Sequence, residues 1–134
     1  MKLTTVAAAA AVLVALAGAS SARSANTAPT ANVENIATVV IGGLVTDFEF
    51  NLYDCPAGEP MAVEWQAQQP SGNAVAIGIQ PVGTSSGANT QHLTVSAGGD
   101  FVAGERWDGS GTVYCGVVAI PVSGSGTTKS LNGV

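Results

Sequence analysis

Hydrophobic and polar residues alternate along most of the chain beyond residue 32. In residues 44–53, apolar residues alternate with acidic or amide residues. The apolar ones are Phe48, Phe50 and Leu52, and the polar ones are Asp47, Glu49 and Asn51. Residues 61–69 alternate in the same way, with Trp65 on the apolar side. A period of two places successive side chains on opposite faces of a strand. Each segment is therefore predicted to be a strand with one buried face and one wet face.

Turn signals divide the chain into seven strand-like segments at the spacing of a small all-β domain. The predicted strands are residues 33–41, 44–53, 61–69, 74–82, 89–97, 101–107 and 112–122. Segments rich in Gly, Pro, Asn and Asp separate them, notably 54–60, 70–73 and 108–111, and such residues suit turns better than central ladders. After residue 25 no segment keeps a helical apolar period for more than two turns. The predicted fold class is all-β.

The first 25 residues have the composition of an export signal. A basic start precedes an apolar run over residues 3–17, and small residues follow, so cleavage is expected somewhere between Ala19 and Ala25. The run is short for a membrane span, and Ala19 stands where a lipoprotein would need cysteine. We expect four parts, with no stable membrane anchor in the mature chain: a cleaved signal peptide (1–25), an extended leader (26–32), a β-sandwich domain (33–122) and a flexible Ser/Gly-rich tail (123–134).

The expected mature chain is strongly acidic. Arg106 and Lys129 are the only basic side chains after residue 25, against nine acidic ones, which gives a net charge of −7. Binding of nucleic acids or anionic membranes depends on clustered Lys and Arg. Nucleic acid is therefore excluded as an expected partner.

The chain contains two cysteines, Cys55 and Cys115. In an exported protein they are expected to form a disulfide, because such compartments are oxidising and the chain offers no other partner. Closing a loop of this length should stabilise the fold by about 4 kcal/mol in the chain-entropy model. Trp65 shares its face with Met61 and Val63, so it is predicted to be a core residue near the disulfide.

The order Cys55, Trp65, Cys115 and the stretch 63–72 resemble the cysteine-to-tryptophan region of immunoglobulin domains. The resemblance implies an immunoglobulin-like β-sandwich of about seven antiparallel strands with one disulfide. The pattern departs from that family at Val113, where a tyrosine corner would place Tyr. Residues 53–58, together with the Ala-rich leader, are also similar to small uncharacterised secreted proteins of actinobacteria such as mycobacteria. That second resemblance implies location and fold, and no chemistry.

Candidate catalytic residues are few. His92 is the only histidine, and its alternation with Leu93 and Val95 predicts that it faces solvent. No nucleophile motif accompanies it, and one His with two paired cysteines cannot supply a zinc site. Carboxylates such as Glu105 and Asp108 are expected to form a solvated acidic surface. We expect no catalytic site, no metal site and no cofactor.

The candidate binding residues are Arg106, Trp107 and Asp108. They combine a large aromatic side chain with a cation beside a Gly-rich turn, a combination favoured at binding surfaces. Trp107 fits either this role, which requires an exposed indole, or a second core position. The function expected is a secreted, non-catalytic binding module of the bacterial envelope or extracellular space, with a protein, glycan or small molecule as ligand. The alternative is a structural or self-assembling envelope component that uses edge-strand addition.

Overall fold

The computed structural model describes residues 27–40, 45–99 and 101–130. Within them the chain forms seven strands: β1 (Thr30–Val40), β2 (Val45–Tyr53), β3 (Pro60–Gln68), β4 (Ala74–Thr84), β5 (Thr90–Gly98), β6 (Arg106–Cys115) and β7 (Val118–Ser130). The all-β prediction is confirmed. The predicted signal peptide, residues 1–25, and the last four residues of the predicted tail lie outside the described residues.

The seven described strands form one mixed sheet in the order β4-β3-β6-β7-β1-β2-β5. Neighbouring strands are antiparallel, except that β1 runs parallel to β7. The sheet curls until it is nearly a barrel, and the two edge strands approach each other without forming a ladder. Gln91, in β5, donates a hydrogen bond of 2.8 Å from Nε2 to Oγ of Ser85, just after β4.

The core lies inside this curl, where aromatic rings from opposite parts of the sheet meet. Phe48 of β2 contacts Trp65 of β3 with ring centroids 5.6 Å apart, and Trp107 of β6 at 5.4 Å. Phe50 lies edge-on to Trp65 at 5.0 Å. Edge-to-face contacts of this kind add to the free energy gained from burial alone. The alternation predicted for β2 and β3 therefore builds the centre of the core, and the prediction that Trp65 is a core residue is confirmed. The predicted place near the disulfide is not confirmed, since Cys115 lies opposite Met61, four residues before Trp65.

The strand arrangement differs from the predicted sandwich of antiparallel strands. β1 pairs with β2 along most of its length, and its residues Ile36–Val39 also pair with Thr127–Ser130 of β7. This short parallel ladder joins the two halves of the fold into a single sheet. The prediction of wholly antiparallel strands is wrong at this pair, and two separate sheets are not confirmed.

The predicted turn at residues 108–111 is wrong, because β6 runs through it. Gly109 and Gly111 face the core, where a Cβ would meet the neighbouring strand: at Gly109 the carbonyl oxygen of Gln66 lies 2.9 Å away, and at Gly111 the Cα of Trp65 lies 2.9 Å away. These glycines allow close strand packing, as glycine inside a strand often does. The chain turns instead at Gly116 and Val117, where Gly116 has a φ of 58°.

The predicted flexible tail is also corrected. Residues 123–130 are the second half of β7. A Cβ at Gly124 would come within 2.6 Å of the Cγ1 of Val33, and one at Gly126 within 2.8 Å of the Cα of Asn35. The Ser/Gly composition thus permits β1 to lie close to β7. Similarly, residues 30–32 of the predicted leader belong to β1, since Thr30 pairs with Tyr53.

The disulfide between Cys55 and Cys115 is confirmed. It connects the segment after β2 to the last residue of β6 at one end of the molecule, with a Cα–Cα distance of 5.9 Å. The two cysteines are only 1% and 3% exposed. A buried disulfide indicates an oxidising compartment such as the extracellular space.

Candidate functional site

The outward face of β4, β3 and β6 carries the candidate site, which is a groove. On β3 the outward residues Glu64, Gln66 and Gln68 alternate with buried ones. The register places Gln66 between Ala76 of β4 and Ser110 of β6, and Gln68 between Ala74 and Asp108. These residues form rows that cross three strands on the side of the sheet away from the core.

Two adjacent depressions make up the groove, with volumes of about 470 and 370 Å³. They share three lining residues, Gln66, Ala76 and Ser110. The β4 positions that line the groove on its outward side, Ala74, Ala76 and Gly78, carry only a methyl group or hydrogen, which leaves the face hollow beside the long glutamines of β3. The β3–β4 register also shifts between Val63 and Trp65, and such irregularities increase the local twist of a sheet.

Neutral polar groups line the middle of the groove and lack partners. Within the described residues, the side-chain amides of Gln66 and Gln68 and the hydroxyl of Ser110 form no hydrogen bond with other protein groups. The two carboxylates at its ends are partnered. Tyr114 donates from its hydroxyl to Glu64 at 3.2 Å, and Arg106 lies 3.4 Å from Asp108.

On the outer face of β1, β2 and β5, several polar groups bond one another. Asn51 donates to Asn32 at 2.9 Å and also to Glu34, while Asn32 donates to the hydroxyl of Tyr53. On the same face Ser96 donates to Asp47 at 2.6 Å. Glu49, His92 and Thr94 on this face form no side-chain hydrogen bond within the described residues, so the groove is distinguished by its hollow shape and its neutral polar lining.

The prediction that Trp107 belongs to an exposed binding surface is wrong. Its side chain is 0% exposed, and its indole Nε1–H donates to the carbonyl oxygen of Thr127 at 3.0 Å. Position 107 faces inward because β6 alternates through the region that was predicted to turn. Arg106 and Asp108 face outward and are each 62% exposed at the side chain, and Asp108 lines the groove.

His92 lies on β5, outside the groove. It is exposed, as predicted, and stands opposite Asn51 in the ladder with β2. Among the described residues, no hydrogen bond links its side chain to a serine, threonine or carboxylate. That part of the chain also contains no group of three or more His, Cys, Asp or Glu residues placed to hold a metal ion.

Gln69 positions the end of the groove, and sequence reasoning missed it. Its amide is 3% exposed. It donates to the carbonyl oxygen of Val102 at 2.9 Å and to Thr128 at 3.1 Å, and it accepts from the backbone N–H of Val102 at 2.9 Å. These bonds hold the segment that leads into Asp108. The period of two over residues 61–69 puts position 69 on the same face as Trp65 and was the available signal, but its partners Val102 and Thr128 lie far away in the sequence.

Ser85 plays a comparable part at the disulfide end. Its hydroxyl donates to the carbonyl oxygen of Cys55 at 2.8 Å and accepts from the backbone N–H of Gly87 at 3.1 Å. Its backbone N–H donates to the backbone carbonyl oxygen of Glu59 at 2.8 Å. These bonds tie the turn after β2 to the loop after β4. The predicted strands 74–82 and 89–97 leave residues 83–88 as a connection, but they do not predict this contact.

Comparisons with known proteins bear on the fold. The described part of the chain aligns with the solution structure of a protein described as late embryogenesis abundant (LEA), with a TM-score of 0.50 and 17% identity over 80% of this chain and 75% of that one. At this identity the likeness shows the fold alone. An alkylpurine DNA glycosylase of Pseudomonas fluorescens, bound to DNA with an abasic site analog, aligns with a TM-score of 0.38, 14% identity and 75% of this chain, which spans 30% of that protein. A score this low supports no conclusion.

No protein-family profile matches the chain, and no curated protein matches it. Within residues 27–40, 45–99 and 101–130 no helix has the length and apolar character needed to cross a membrane.

Proposed function

We propose that the chain is an exported, non-catalytic binding module of the bacterial envelope or extracellular space, and that its ligand lies across the groove. The unpartnered amides of Gln66 and Gln68 beside Ser110 are the observation that carries this proposal. A ligand can hydrogen-bond these groups without breaking bonds inside the protein, so binding there costs little reorganisation.

Export is supported by the buried disulfide and by the composition of residues 1–25. The disulfide needs an oxidising compartment, and an apolar run followed by small residues is what a signal peptide requires. The similarity of residues 53–58 and the Ala-rich leader to secreted actinobacterial proteins agrees with this location.

We also propose an immunoglobulin-like architecture. Three features support it: a core tryptophan on β3, a disulfide between the ends of β2 and β6, and a strand, β1, that is shared by both halves of the fold. In such domains function is carried by loops and sheet faces, so the architecture itself assigns no ligand.

A non-catalytic role is supported by the distance between His92 and the carboxylates of the groove, which lie on different parts of the sheet. His92 lies on the outer face of β5, whereas the groove lies on β3, β4 and β6. The groove lining offers one carboxylate at each end, and both are partnered. General acid–base catalysis needs such groups within reach of one reacting bond.

The experiment measures retention of the mature protein, residues 26–134, on the envelope fraction of the bacterium that makes it. Ser110→Tyr should fill the middle of the groove and abolish retention, since Ser110 lines both depressions. Thr94→Tyr places the same side chain at an exposed position of β5 and should leave retention unchanged. Urea unfolding of both variants verifies that each is folded. Equal retention of the two folded variants would contradict a ligand in the groove.

The second candidate, a self-assembling envelope component, is favoured by the two sheet edges. β4 and β5 each pair on one side only, and no Asp, Glu, Lys or Arg occurs between Glu64 and Asp100. Natural edge strands are commonly protected by charge or proline, and Pro81 is such a device in β4. Light scattering over a concentration series separates the candidates: growth in mass with concentration favours assembly, and a constant monomer mass favours the binding module.

A further inference from the structure

The sheet face that carries the groove extends beyond the two depressions. Along β6 the outward positions run from Asp108 through Ser110 and Thr112 to Tyr114. Six steps of an antiparallel strand cover about 20 Å. The face therefore suits an extended chain better than a compact small molecule.

The free polar groups of this face are neutral. Gln66 and Gln68 each offer an amide that both donates and accepts, and Ser110 offers a hydroxyl with the same dual character. The carboxylates of Glu64 and Asp108 are partnered, by Tyr114 and Arg106. No lysine or arginine lines either depression. An anionic ligand would meet carboxylates without an unpaired cation, whereas hydroxyl groups match free amides and hydroxyls without a charge mismatch.

One aromatic side chain stands at the far end of the face. Tyr114 is half-buried and lies in a row with Pro81, Ala62 and Ala119, as the registers of the four strands require. Its hydroxyl donates to Glu64 at 3.2 Å. A half-buried tyrosine offers an amphipathic ligand an apolar ring beside a polar hydroxyl.

We propose that the groove binds a neutral oligosaccharide chain, laid along β6 with hydroxyl groups on Gln66, Gln68 and Ser110 and a sugar ring near Tyr114. A sugar chain offers many uncharged hydroxyls together with apolar C–H faces, which is the combination that the face provides. The inference rests on the proposed function, because it names the ligand class of the same groove.

Isothermal titration calorimetry of the mature protein tests the ligand class. The probes are maltohexaose, α-1,6-mannohexaose and cellohexaose, with hexagalacturonate as an anionic chain of equal length. At least one neutral chain should bind, and hexagalacturonate should not. Gln66→Ala and Gln68→Ala should each weaken binding about tenfold, the effect of losing one useful hydrogen bond. Thr94→Ala should bind as the unchanged protein does.

Absence of binding by all three neutral chains, or equal binding of hexagalacturonate, would overturn the proposal. So would neutral-chain binding that both glutamine variants retain in full, because the sugar would then lie elsewhere.

A second measurement separates failure of this inference from failure of the proposed function. The envelope fraction is treated with periodate, which cleaves vicinal diols of sugars, or with proteinase K, and retention is measured again. Loss after periodate alone supports an oligosaccharide. If retention is lost after proteinase K alone, and Ser110→Tyr still abolishes retention, the proposed binding function is supported and the oligosaccharide ligand is contradicted. Retention that Ser110→Tyr does not alter would overturn both.

Discussion

Gly109 lies directly against the indole of Trp65. A Cβ at position 109 would come within 2.8 Å of Cη2 of the indole and 2.9 Å of the carbonyl oxygen of Gln66. The same strand presents Asp108 and Ser110 to the groove on its other face. Core packing on one side of β6 and the shape of the groove on the other therefore depend on the same short segment.

Gly109→Ala should destabilise the fold by about 1 to 3 kcal/mol, because the added methyl overpacks the core beside Trp65. Gly78→Ala is the matched control, since a methyl group added at position 78 on β4 would have no other atom within 4 Å. It should change the free energy of unfolding by no more than about 0.5 kcal/mol. Urea denaturation measures both, and equal tolerance would show that Trp65 packs differently.

Gln69→Ala should destabilise by about 2 to 3 kcal/mol, because it leaves the buried hydroxyl of Thr128 and the partly buried backbone groups of Val102 without their partner. Gln68→Ala, one position earlier and exposed, should fall within about 0.5 kcal/mol of the unchanged protein. Thermal unfolding compares the two. Similar melting temperatures would mean that the buried amide does not hold residues 101–105.

Trp107→Ala should destabilise by about 3 to 5 kcal/mol, as truncation of a large core aromatic does. Its ring contacts Phe48 and Trp65, and its N–H donates to Thr127. Arg106→Ala changes the exposed neighbour and should stay within about 0.5 kcal/mol. If Trp107→Ala were as mild as Arg106→Ala, the indole would belong to the surface after all.

The double variant Cys55→Ala, Cys115→Ala should lose about 4 kcal/mol of stability in the chain-entropy model, because the bridge closes a loop with a sequence separation of 60. Reduction of the unchanged protein should cause a similar loss. Unfolding in urea with and without reductant provides the comparison. An unaltered midpoint in both cases would contradict a stabilising bridge.

The sequence predicted the parts of the fold that depend on side-chain alternation. Phe48, Phe50 and Trp65 follow a period of two with no glycine nearby, and they form the core as expected. The cysteine pairing was equally accessible, because Cys55 had no other partner than Cys115.

Glycine-rich strands were not predicted, for a physical reason. When composition alone is considered, Gly109 and Gly111 are interpreted as turn residues and Gly126 as part of a flexible tail. In the structure each faces a backbone or an indole on the neighbouring strand that leaves no room for a Cβ. That requirement depends on which strands are neighbours, which a local pattern does not contain. The predicted turn at 108–111 is what placed Trp107 among the candidate binding residues.

The sequence predicted the polar residues of the groove but not its shape. Alternation in residues 61–69 assigned Gln66 and Gln68 to the wet face of a strand. Their placement between Ala76 and Ser110 depends on the pairing of β3 with both β4 and β6. The sequence alone predicts which residues are polar and exposed. It does not predict the hollow in which they lie, because that depends on the strand register.

The central claim, that a ligand lies across the outward face of β3, β4 and β6, is tested most directly by amide chemical-shift mapping. Uniformly ¹⁵N-labelled mature protein is titrated with the solubilised envelope fraction that retains it. The account predicts that the largest shifts fall at Gln66, Gln68, Ala76 and Ser110. Shifts concentrated instead around His92 and Thr94 on β5, with the groove unaffected, would contradict it.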